Sequence, residues 1–138
     1  MANMLIVVEP DGTFRTEDIG KRKAELKVLQ KLVHGLIEGA GCLTEKDGSG
    51  IDLWVNEEGF IDGMEENKVA SRFASCIRAT ENDAPYREYT LFGPLVIARF
   101  DANGDSFALT ENYVEFLRYA LTHLGGVEVK ETEAKVEA

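Results

Sequence analysis

The sequence predicts an α+β domain: a mixed, mostly antiparallel sheet with two or three helices packed mainly on one face. Three observations lead there. Residues 4–8 and 95–100 are short, mainly apolar runs and residues 51–55 alternate between two faces, each as strands do. Residues 21–33 and 110–124 instead place apolar side chains at spacings of three and four, as amphipathic helices do. Asp101-Ala102-Asn103-Gly104-Asp105 predicts a hairpin, because Asn-Gly suits the turn that matches strand twist, and hairpins make antiparallel neighbours.

Each element follows from its own residues. Met4-Leu5-Ile6-Val7-Val8 reads as a buried strand ended by the turn Glu9-Pro10-Asp11-Gly12, with residues 13–19 as the returning strand. Residues 21–33 should form a helix with Leu26, Leu29 and Val33 on its apolar face and lysines opposite. Gly35 is placed to end it. Residues 36–40 read as a strand and 44–50 as a polar loop. Ile51, Leu53 and Val55 then share one strand face, with Asp52 and Trp54 on the other. Asn56-Glu57-Glu58-Gly59 is a tight turn. Residues 65–80 have helical spacing through Val69, Phe73 and Ile77. Leu95-Val96-Ile97-Ala98-Arg99-Phe100 should be central in the sheet, and 106–109 its return. Thr110 is a candidate N-cap for a last helix built on Tyr113, Phe116, Leu117, Ala120, Leu121 and Leu124. The expected organisation is one domain over residues 1–126, closed by Gly125-Gly126, with a flexible acidic tail over 127–138.

Composition narrows the function classes. A chain of 138 residues with 44% hydrophobic and 29% charged residues can bury one core without staples. No apolar run is long enough for a membrane span and no signal peptide is visible, so the expected location is the host cell cytoplasm. Cys42 and Cys76 have no metal-like or redox spacing and read as two reduced, partly buried thiols. The net charge of −10 argues against direct nucleic acid binding, which needs an excess of Lys and Arg, and favours basic partners. The charge is uneven: Lys21, Arg22, Lys23, Lys27 and Lys31 cluster in one stretch, whereas residues 52–66 hold six acids and no base.

Two boxes stand out: Val33-His34-Gly35-Leu36-Ile37-Glu38, and Asn56-Glu57-Glu58-Gly59-Phe60 followed by Asn67 and Ala70. With Val7-Val8-Glu9-Pro10, Gly93-Pro94-Leu95-Val96 and Leu109-Thr110-Glu111, their order resembles the Domain of Unknown Function 3846 family, over roughly residues 4–124. The resemblance implies an accessory protein of phages and mobile elements and brings no established reaction. His34 departs from the pattern, standing where the family has a first Gly. If the backbone there needs positive φ, His is tolerated but uncommon; if only close packing is needed, the site bulges.

No catalytic constellation is legible and no cofactor is expected. Glu38, Glu57 and Glu58 could gather round a divalent metal, or sit apart on solvated faces, which is the simpler account. Asp101, Asn103 and Asp105 imitate the start of a calcium loop, but Ser106 and Asn112 replace its Gly and Glu. His34 with Cys76, or His123 with Cys42, lacks any third orienting group. Arg72, Arg78, Arg87 and Arg99, with Trp54 as a stacking platform, are the candidate lining for an anionic ligand such as a signalling nucleotide. His34, Glu38, Asn56, Glu57, Glu58 and Asn67 are the candidate partner-binding set. The leading expectation is a non-enzymatic protein that binds a host or bacterial protein in host takeover or counter-defence. The alternatives are sequestration of a small anion and a metal-dependent enzyme using clustered carboxylates. A homodimer is compatible with any leftover strand edge or apolar helix face.

Overall fold

The computed structural model describes residues 2–130. Its strands are β1 (Met4–Val8), β2 (Thr13–Asp18), β3 (Ile37–Thr44), β4 (Gly50–Asn56), β5 (Leu95–Phe100), β6 (Ser106–Phe107) and β7 (Val127–Glu128). The helices are α1 (Leu26–Val33), α2 (Lys68–Glu81) and α3 (Glu111–His123). The sheet order is β3-β4-β5-β1-β2-β7, and off this path β6 pairs with the end of β5 as its hairpin partner. Every pairing is antiparallel except β2 with β7. The α+β class and mostly antiparallel sheet are those the sequence predicts.

The core explains why β1 and β5 are apolar without alternation. Both faces of the sheet are covered there, so both faces of each strand are buried. Ile6, Val8, Ile51, Leu53, Leu95 and Ile97 pack against Phe73 and Ala74 of α2 and Leu117 and Leu121 of α3. On the opposite face Leu5, Val7, Val96 and Ala98 pack against Leu29 and Val33 of α1. Two helices thus lie on one face and the third on the other. Ile51, Leu53 and Val55 face the larger cluster, and Trp54 borders the smaller one, as the alternation requires.

The structure departs from the sequence reading at several boundaries. α1 starts at Leu26 rather than at residue 21, because Ala24 N–H donates to Ser106 O and Lys23 bridges to Phe107, holding the chain extended beside β6. Leu26 is consequently 57% exposed, and the buried face of α1 is Leu29 and Val33. α2 begins at Lys68 rather than at residue 65 because the Asn67 side chain accepts from Ala70 N–H and caps it. Phe116 of α3, expected inside, is exposed, and Val114 takes the buried position. Residues 127 and 128, placed in a tail by composition, form β7: Val127 N–H donates to Gly12 O and Val129 N–H to Phe14 O. Residues 131–138 of the expected tail lie outside the described residues. Cys42 and Cys76 are free thiols of intermediate exposure. No helix among the described residues is long and apolar enough to cross a membrane.

Candidate functional site

β1 and β4 run in the same direction, opposite to β3 and β5. The end of β1, the end of β4, the start of β3 and the start of β5 therefore meet at one edge of the molecule. The C-terminus of α1 and the N-terminus of α2 reach the same corner through hydrogen bonds described below. Most of the boxes singled out in the sequence lie here.

Two buried asparagines hold the corner together. Asn56, 6% exposed, donates from Nδ2 to Val33 O at 3.1 Å and His34 O at 3.2 Å. Its Oδ1 accepts Glu58 N–H at 2.7 Å. One side chain thus satisfies carbonyls at the end of α1 and fixes the turn that follows β4. Gly35 makes this approach possible, since a Cβ there would stand 2.6 Å from Asn56 Nδ2. Asn67, fully buried, donates from Nδ2 to Val8 O and Gly93 O, both at 2.9 Å, while Oδ1 caps α2. It joins β1, the turn before β5 and α2 at a single amide. Both asparagines belong to the expected partner-binding set, but they are interior: neither presents a side chain to a partner, and each shapes the surface instead.

His34 settles the question its position raised. Its φ is 64° and ψ 37°, left-handed, and Gly35 N–H donates to Gln30 O to close the helix end. The position needs positive φ, and a bulky residue occupies it with its side chain exposed.

Outside this frame lies a cleft of about 410 Å³ lined by Glu9, Asp11, His34, Met64, Glu65 and Pro94, among others. Glu9 is joined to the nearly buried Arg15 at 2.7 Å, and Arg15 also meets Glu17 at 3.1 Å. Burial works against the Arg15 charge, but these carboxylates outweigh it and raise the guanidinium pKa. Hydrogen bonds from the Thr13 hydroxyl and N–H hold the Asp11 carboxyl below its usual range. Beside the cleft, the loop after Asn56 carries Phe60 and Ile61, 73% and 78% exposed. One edge of Phe60 meets Phe92, with ring centroids 5.0 Å apart. Glu57, Glu58, Asp62, Glu65 and Glu66 flank this apolar tip along the chain and are all exposed.

The remaining candidates are dispersed. Glu38, Glu57 and Glu58 are exposed, and among the described residues no three His, Cys, Asp or Glu side chains are placed to hold a metal. Asp101 spends its carboxylate on its own hairpin, accepting from Asn103 N–H and Asp105 N–H at 3.0 Å each. The four arginines do not form one lining. Arg72 donates to Leu124 O at the end of α3. Arg99 lies over Phe107, 5.1 Å from the ring centroid. Arg78 and Arg87 line a separate hollow with Tyr89. Trp54 packs against the α1 side of the core, and its Nε1 is buried without a partner among the described residues.

Most of the boxes thus gather at one corner, while Leu109-Thr110-Glu111 lies toward the other end of β1, where Leu109 N–H donates to Met4 O. The description "Domain of unknown function (DUF3846)" is that of the family model matching residues 2–122. The chain belongs to that family. No curated protein and no solved structure matches the chain. In this DUF3846 domain the boxed glycine and asparagines are accounted for as the interior of the corner. Sequence reasoning missed Phe60, Ile61 and Met64 as surface features. The available signal was two adjacent apolar residues between Gly59 and Gly63 in an acidic run, a place with no strand or helix period to bury them.

Proposed function

We propose that the protein is a non-enzymatic accessory protein of a phage or mobile element that docks a host protein on the corner surface. The observation that carries this reading is the Phe60-Ile61 tip, exposed beside an acidic cleft and flanked along the chain by exposed carboxylates. Exposed aromatic and aliphatic anchors supply binding energy when a partner desolvates them. The surrounding acids select a basic surface and steer its approach. His34, Glu57 and Glu58 lie on this surface, and Asn56 and Asn67 fix its shape from within. Binding of this kind fits host takeover or counter-defence in the host cytoplasm.

Affinity capture from host extract tests the reading. The Phe60→Ser, Ile61→Ser double variant should change the melting temperature little, since both side chains are mostly exposed and only the Phe60–Phe92 edge contact is lost, and should lose the partner retained by the unchanged protein. Retention of the same partner by the double variant counts against docking at this tip.

A further inference from the structure

We propose a second binding site, for a phosphate monoester of mononucleotide size or smaller, in the hollow formed by the C-terminal half of α2 and the segment that follows it. α2 is 14 residues long, about 20 Å, and this hollow lies toward the opposite end of the helix from the corner.

The hollow encloses about 330 Å³ and is lined by Arg78, Asn82, Arg87, Glu88 and Tyr89, among others. That volume sits at the small end of ligand cavities, too small for a polymer or a protein segment of any length. Its walls are anchored. Tyr89 N–H donates to Ser75 Oγ at 2.8 Å, and Ser75 Oγ–H donates to Ser71 O at 2.7 Å. The Arg78 guanidinium lies 3.9 Å from the Tyr89 ring centroid, and its Nη1 donates to Ala40 O at 3.4 Å. Gly41 lets the Arg78 stem pack close, as a Cβ there would stand 3.3 Å from Cγ. Arg78 is thereby held with most of its donors unspent, so the cost of ordering it is met before a ligand arrives.

Charge selects the ligand. Among the described residues neither Arg78 nor Arg87 takes part in an ion pair, in a chain of net charge −10. Two guanidinium groups match a phosphate monoester, which carries about −1.5 to −2 at neutral pH, better than a single carboxylate. Glu88 is the opposing charge in the lining and weakens the site.

The test is titration of the full chain with AMP, ribose 5-phosphate and adenosine, followed by calorimetry. The two phosphates should bind saturably and adenosine should not. Arg87→Ala, at an exposed position, should weaken phosphate binding at least about tenfold, and Arg78→Lys, which keeps the charge but loses the planar fork, should do likewise. Glu88→Gln should tighten it. Absence of saturable binding by either phosphate up to about 10 mM overturns the proposal. So does equal binding of adenosine, or an affinity unchanged by Arg87→Ala.

Discussion

Asn56 and Asn67 each serve three main-chain partners, those of Asn67 all buried, and this makes them costly positions to lose at the corner. Asn67→Ala strands Val8 O, Gly93 O and the capped N–H of Ala70. Leaving buried backbone groups unmade costs about 1–3 kcal/mol, and a lost N-cap adds to it. A loss of about 3 kcal/mol is therefore expected in denaturant unfolding of Asn67→Ala, and somewhat less for Asn56→Ala, whose neighbours lie nearer the surface. His34→Gly should move the other way. A non-glycine residue in the left-handed region costs about 1–2 kcal/mol, partly offset by the extra freedom glycine has when unfolded. A net gain of about 0.5–1 kcal/mol is expected from the same measurement. Asp52 supplies the pH dependence. Burial alone lifts its pKa to about 6, above the unfolded value near 4. Its contribution is fully present below pH 4 and is lost as pH rises through 6. Asp52→Asn should therefore stabilise the protein at pH 7, by about 1 kcal/mol once solvent screening is allowed for, and change little at pH 4. Melting curves at the two pH values check it.

At the scale of elements, β3 poses the problem of a long sheet edge, and α2 answers it. Glu81 accepts Thr44 N–H at 3.0 Å, and Arg78 reaches Ala40 O. These side chains occupy edge groups that would otherwise pair with another chain. Glu81→Ala should expose the edge, and sedimentation velocity should then show concentration-dependent association absent from the unchanged protein. The elements themselves were largely legible in the sequence. β1 is visible as an unbroken apolar run, β5 as one interrupted only by Arg99, β4 as an alternation, and α3 as a helical stripe opened by Thr110. What escaped was decided by distant partners. Nothing in residues 21–25 says that β6 will hold them extended, and nothing in Val127-Glu128 says that β2 leaves them an edge. The sequence groups Asn56 and Asn67 as a partner-binding set, whereas both side chains are buried and bond the main chain. An asparagine that binds a ligand and one that ties three main-chain segments look alike until the fold brings the carbonyls to it. The four arginines, grouped in the sequence by chemistry alone, are dispersed by the topology, and of them only Arg78 and Arg87 line one hollow.

The whole molecule is an acidic body with its most exposed apolar tip at one corner and a small cationic hollow near the far end of α2. The tip and its flanking carboxylates share the stretch of chain between β4 and α2, so in the proposed docking the apolar anchor and the steering charge come from the same segment. Association through it should slow and weaken as salt rises, because exposed charges are screened over about 8 Å at physiological ionic strength. The most direct measurement places a photo-crosslinking side chain at position 60 or, on the exposed outer face of α3, at position 119, and illuminates each protein in host extract. Docking at the corner predicts one dominant crosslinked host protein from position 60, absent from position 119 and diminished by salt. No crosslink at position 60, or the same protein captured equally from both positions, would contradict the account.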